Sequence, residues 1–162
     1  MNNRRILKMT QSTIFSFFLL PISVLAAGGT DEHETKHSFH PNVIGLFLGS
    51  TGEDRRDSDF TFGIEYERRI SESFGVGGVI ERAFGDHDFW VFAVPFAYHT
   101  GAWKWYVAPG MENKDDHKNE FLVRIGLEYA FEVGEYELSP QVDVDFVDGE
   151  QEYVIGVVFA RG

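Results

Sequence analysis

The sequence predicts an all-β fold: an eight-stranded antiparallel up-and-down transmembrane β-barrel. Three observations carry that prediction. Apolar and polar or small residues alternate with a period of two along the chain, most cleanly in Asn119 to Glu132. Eight such stretches follow one another at regular spacing, separated by turn-forming residues, with no helical pattern of useful length among them. The apolar rows are too bulky to be packed inside so small a barrel.

In Asn119 to Glu132, Phe121, Val123, Ile125, Leu127, Tyr129 and Phe131 form one row, and Glu120, Leu122, Arg124, Gly126, Glu128, Ala130 and Glu132 form the other. A strand sends alternate side chains to opposite faces, so one face is apolar and the other mostly charged or small. The stretch also exceeds the usual globular strand of roughly five or six residues. Tilted strands of about 9–11 residues cross a bilayer.

The chain has 162 residues, enough for one domain after its start is set aside. Arg4, Arg5 and Lys8 precede a short apolar run, Ile14 to Leu20, which ends at Pro21. Val24-Leu25-Ala26 matches a small-residue cleavage site, with Ala27 as a neighbouring alternative. Residues 1–26 therefore read as a secretory signal peptide. The apolar run is well short of the ~20 residues of a membrane-spanning helix. Its removal takes away three basic residues and no acidic one, so the rest is more acidic still than the net charge of −12. That balance excludes a nucleic-acid-binding face and a polybasic lipid anchor. There is no cysteine, so an exported chain must be stabilised without disulfides. A closed ladder of backbone hydrogen bonds would do so.

Residues 27–41 are expected to be a flexible lead-in. Its His33, His37 and His40 have no helix to set their spacing and no fourth strong ligand, so a solvated tail is expected and not a metal site. The barrel domain is expected over 42–162. Its strands are Asn42 to Ser50, Asp59 to Arg69, Phe74 to Phe84, Phe89 to His99, Trp103 to Met111, Asn119 to Glu132, Glu137 to Val147 and Gln151 to Arg161. Alternation is weak in the first, where Val43 and Phe47 share a row with Gly45 and Gly49. Pro95, Pro109 and Pro140 cannot donate to a ladder and are expected to mark bulges.

The connections Thr51 to Ser58, Gly85 to Asp88, Glu112 to Lys118 and Asp148 to Glu150 are charged, and those between them are mostly short. Outer-membrane barrels have short periplasmic turns and longer external loops, so the first set is expected to face outward. Glu112 to Lys118 lacks the glycine and spacing of a calcium loop, and a solvated loop is expected there.

Volume decides which row is inside. The apolar rows of four strands alone hold twelve aromatics, which would overfill a lumen only just wide enough for side chains. The opposite rows are rich in Gly and Ala. The apolar rows are therefore expected to face lipid, with Phe60, Trp90, Phe121 and Tyr153 at the outer edge. Tyr66, Tyr98, Trp103, Tyr129 and Phe159 are expected at the periplasmic edge, giving the two aromatic girdles of such barrels. The inward rows place Glu65, Glu67, Glu81, Glu128, Asp143 and Asp145 against Lys104, Arg124 and His99. Buried charge is tolerable when paired, so a lumen network bound by Arg124 and Lys104 is expected, with surplus carboxylates near the rims.

On this strand pattern and export signal, Asn42 to Gly162 resembles the small eight-stranded outer-membrane barrel proteins of the OmpA/OmpX type, in the porin-like superfamily. The resemblance implies an outer-membrane location in a Gram-negative bacterium, contact with membrane lipid and lipopolysaccharide, and insertion by the barrel-assembly machinery. Members usually end in a strand with a terminal aromatic that this machinery reads. Tyr153 to Phe159 looks like that strand, although Ala160-Arg161-Gly162 follows it. Lipid A deacylases share the architecture but would need a His–Ser pair at the outer rim. His99-Thr100 falls at the other edge and His87 has no serine beside it. The expectation is a structural or surface-interaction protein without enzymatic activity or cofactor. A narrow porin-like channel and a soluble periplasmic lipocalin-like binder of an apolar ligand are the alternatives. A closed barrel leaves no edge that demands a partner, so oligomeric state stays open.

Overall fold

The computed structural model describes residues 40–54, 57–85, 88–114 and 119–161. The expected signal peptide and nearly all of the lead-in segment, with His33 and His37, lie outside the described residues, as does His87. Eight strands follow in order. They are β1 (Asn42–Asp54), β2 (Asp57–Arg69), β3 (Phe74–Phe84), β4 (Phe89–Ala93 and, past Val94 and Pro95, Phe96–Thr100) and β5 (Trp103–Lys114). β6 is Glu120–Tyr129 and, past Ala130, Phe131–Val133; β7 is Tyr136–Val147 and β8 is Glu150–Arg161.

Each strand pairs antiparallel with the next, and β8 returns to β1 from Ile44↔Arg161 to Gly52↔Tyr153, closing the ring. The closure is staggered. Gly45 pairs with Ala160 of β8. Stepping the other way from Gly45 leads through Glu65, Val79, Ala93, Gly110, Leu122 and Val147 to Glu150 of the same strand. One circuit thus climbs most of β8, and strands so staggered must be inclined to the barrel axis.

Several strands run further than alternation suggested. β1 reaches Asp54 and β2 begins at Asp57, so most of the expected loop Thr51 to Ser58 is ladder. β5 continues through Glu112 to Lys114, three residues assigned to a loop because of their charge. The expected proline bulges are absent. Register is continuous past Pro109 and Pro140, and it is the same on both sides of Pro95. Pro95 interrupts β4 only by lacking an N–H; its carbonyl still accepts from the Gly77 amide at 3.0 Å. The one register shift among the described residues lies between Thr51 and Asp54.

Among the described residues, tight hairpins occur at both ends. Gly101-Ala102 and Gly134-Glu135 turn the chain at the end that also carries Asn42 and Arg161. At the other end Asp148 and Gly149 have φ of 46° and 90°, positive at both central positions as a type I′ hairpin requires. We call these the turn end and the loop end.

The faces divide as bulk demands. Phe60, Phe62, Phe92, Phe96, Trp105, Ile125 and Phe131 are all exposed, while Gly63, Ala83, Ala93, Ala97, Ala108 and Gly126 line the interior. A soluble binder would need the opposite arrangement. Three large rings break the pattern: Phe89 and Tyr106 are buried, and Phe47 is fully buried in the lumen. It fits because Gly49 and Gly156 flank it, and a methyl group at either glycine would collide with the ring. Phe47, Val154, Val158 and Ala160 form one apolar patch, and residues of β3 to β7 around Val91, Tyr106 and Leu122 form another.

Candidate functional site: the charged lumen

The space between those patches is filled with charge. Arg124, on β6, is buried on a row with Leu122, Gly126 and Glu128. Its Nη1 and Nη2 donate to Glu81 Oε1 and Oε2 of β3 at 2.6 and 2.7 Å. Its Nε and Nη2 donate to Asp145 Oδ1 and Oδ2 of the adjacent β7 at 2.7 and 2.8 Å. One guanidinium therefore grips two carboxylates in paired fashion, the geometry in which arginine is strongest. β4 and β5 stand between β3 and β6 on one side of the ring and four strands on the other, so the contact crosses the lumen and does not follow its wall.

A hydrogen-bonded relay continues toward the turn end. Asp143 lies 3.8 Å from Arg124 and accepts from the Tyr106 hydroxyl at 2.6 Å. Gln141 Nε2 donates to Asp143 and to the Tyr106 oxygen at 2.6 and 2.7 Å. Gly126 makes room for this group, because a Cβ there would strike both the Tyr106 ring and Asp143.

The second cation, Lys104, stands beyond Tyr106, with its ammonium 5.4 Å from the ring centre. It pairs with Glu128 and lies 3.8 and 3.6 Å from Glu65 and Glu67. His99 Nε2 is 2.6 Å from Glu67, which Arg69 approaches at 3.4 Å. A polar cavity of about 400 Å³ opens from this level to the turn end, lined by Glu65, Glu67, His99, Lys104 and Glu128 among others. His99 joins this turn-end group and does not contact Arg124.

A third cluster lies outside the expected network. At the loop end, Lys114 lies 2.7 Å from Glu112 and 3.9 Å from both Glu120 and Glu152. Glu112 and Glu152 are buried lumen residues. Their parity was visible, since Glu112 follows Tyr106, Ala108 and Gly110 on one row and Glu152 precedes Val154 and Gly156. Charge beside a turn outweighed that signal. Tyr106 and Gln141 were on the correct rows, but neutral side chains carried no sign of their part in the network. Among the described residues, no group of three or more His, Asp or Glu side chains is arranged to hold a metal ion.

On the outer face, aromatic pairs lie toward both ends. Phe60 stacks near Phe84 at 6.3 Å between ring centres and Trp90 near Phe92 at 6.2 Å, toward the loop end. Toward the turn end Phe74 meets Tyr98 at 5.3 Å, and Tyr129 meets both Trp103 and Phe131, at 4.7 and 4.8 Å. Tyr66, Phe121, Tyr153 and Phe159 are exposed on the same outer face.

No family model matches the chain. No curated protein matches it either. Solved structures do. The N-terminal β-barrel domain of Pseudomonas aeruginosa OprF superposes with a TM-score of 0.55 at 13% identity, covering 75% of this chain and 97% of that one. The fold is that of the small eight-stranded outer-membrane barrels. A de novo designed transmembrane β-barrel gives 0.52 at 12% identity, covering 76% and 98%. Neisserial surface protein A gives 0.50 at 9%, covering 74% and 94%. At these identities the outer-membrane barrels share a backbone with this chain and lend it no activity.

Proposed function

We propose that this chain is exported by its N-terminal signal, inserted by the barrel-assembly machinery, and resides in the outer membrane as a plugged barrel. Its role there is structural or surface-interacting, in contact with membrane lipid and lipopolysaccharide, and involves no catalytic step or cofactor. The observation that carries this reading is the grip of Arg124 on Glu81 across the lumen. An eight-stranded barrel is only just wide enough for its side chains, and charges so paired have no reason to part. The cavity at the turn end then forms a blind vestibule below the plug.

The test has two steps. Cell fractionation followed by gel mobility with and without boiling in mild detergent should recover the protein in the outer membrane with a heat-dependent shift. Recovery from the soluble periplasm would refute the membrane reading. Planar-bilayer recording of the refolded protein should then be silent, and steady single-channel conductance would favour a narrow channel over a plug.

A further inference from the structure

Seven of the eight strand pairings join strands that follow one another in the chain, and a connecting turn restricts the register of each. The eighth, β1 with β8, has no turn and must find its register from side chains. That register fixes the whole barrel. Gly45 meets Ala160 across the seam and leads around the ring to Glu150, a stagger of ten residues along β8. A slip of one residue would exchange the two faces of a strand. A slip of two keeps the faces and changes only the stagger, and with it the tilt of the strands and the width of the barrel.

The outward face of the seam opposes such a slip weakly. Leu46 and Leu48 pair with Phe159 and Val157. Moved by two, they would face Val157 and Ile155, apolar against apolar as before. The inward face is different. Gly49 pairs with Gly156, and the Phe47 ring lies over both, so that a Cβ at either glycine would strike it. Val158 covers Gly45 in the same way, its Cγ1 2.6 Å from where a Cβ would stand. On β8 the inward neighbours of Gly156 are Val154 and Val158, both buried. A slip of two in either direction therefore brings a valine opposite Gly49, into the space that the ring occupies. Overpacking of that kind is destabilising, because interiors are already close-packed.

We propose that Phe47 and the Gly49–Gly156 notch are the register lock of the closing seam. The ring fits one stagger and rejects those two residues away, so one aromatic side chain on β1 sets the tilt and width of the closed barrel. The lock is a property of the ring of strands and does not depend on the membrane that surrounds it.

The chain contains no cysteine, so disulfide trapping can read the register directly. The full chain is refolded in detergent micelles with one of two outward pairs and oxidised mildly. Leu46→Cys with Phe159→Cys reports the native register, and Leu46→Cys with Val157→Cys reports the slip. Residues directly opposite each other come within disulfide reach, and those two positions along do not. With Phe47 in place, only the native pair should cross-link. In Phe47→Ala the cross-linking should divide between the two pairs. Phe47→Leu, which keeps an apolar filler but not the reach of the ring, should do the same and serves where Phe47→Ala does not fold. Val154→Gly with Gly156→Val moves the notch two residues along β8 and should transfer cross-linking from the native pair to the slipped one. A heat-dependent mobility shift identifies the chains that have folded. Exclusive native cross-linking in the folded Phe47 variants, or in the chain with the moved notch, overturns the lock.

Discussion

Arg124 of β6 and Glu81 of β3 meet end-on across the lumen, each nitrogen of the guanidinium fork on its own carboxylate oxygen, at 2.6 and 2.7 Å. Neither side chain is appreciably exposed. The pair is therefore safe while complete and costly when halved.

Removing one partner should show this. Arg124→Ala leaves Glu81 and Asp145 as unpaired buried carboxylates and should destabilise the barrel by about 3–5 kcal/mol, whereas Glu81→Ala leaves Arg124 still held by Asp145 and should cost less. A compensated variant, Arg124→Met with Glu81→Gln and Asp145→Asn, should lose much less. Urea unfolding in lipid vesicles, followed by tryptophan fluorescence, would check both. A compensated variant no better than the single ones would show that shape and not charge dominates the site.

Tyr106→Phe removes only the hydroxyl that donates to Asp143 and accepts from Gln141. A hydrogen bond to a charged group is worth about 1.5–3 kcal/mol. A loss of that size is expected in the same unfolding measurement, with the folded gel mobility unchanged.

The ring of Phe47 and the two glycines beside it form one unit. Gly156→Ala alone should destabilise the barrel, because the new methyl group meets the ring. Phe47→Leu in the same chain should recover part of the loss, and Phe47→Ala by itself should cost about 3–5 kcal/mol through the void it leaves. Additive effects of Gly156→Ala and Phe47→Leu would mean that the ring is not what the glycine accommodates.

Ile125 is half exposed on the outward face of β6. On a soluble protein Ile125→Lys would change little. In a bilayer it should cost about 2–4 kcal/mol if the site lies near the midplane. Comparing unfolding in vesicles with the behaviour of a lumen substitution such as Lys104→Met separates lipid-facing from interior cost.

Strand positions and faces were legible because a two-residue period is visible in any single stretch, as in Phe121 to Phe131. The lumen occupants followed from the same parity once volume had assigned the inside. The levels at which they meet were not legible. That Arg124 finds Glu81 while His99 finds Glu67 depends on registers summed around several strands, and no local pattern carries that sum. Phe47 was ambiguous for the same reason, since its room comes partly from Gly156 at the far end of the chain. Strand ends were misjudged at Thr51 and Glu112 because charge near a turn imitates a loop, whereas Glu112 turns inward. The prolines misled in the opposite direction: Pro109 and Pro140 can lie in an unbroken register because each gives up only its own amide bond.

The seam between β1 and β8 has a consequence for how the molecule comes into being. Ile44 finds Arg161 only after everything between them has been made, so the longest-range pairing is also the one that shuts the ring. Until then the two terminal strands present bare edges, the kind that recruit foreign strands. Contacts this distant in sequence form slowly. The nascent chain should therefore pass through a long-lived open sheet that has to be sheltered, and cutting it short before Glu150 should yield a sticky intermediate in place of a smaller barrel.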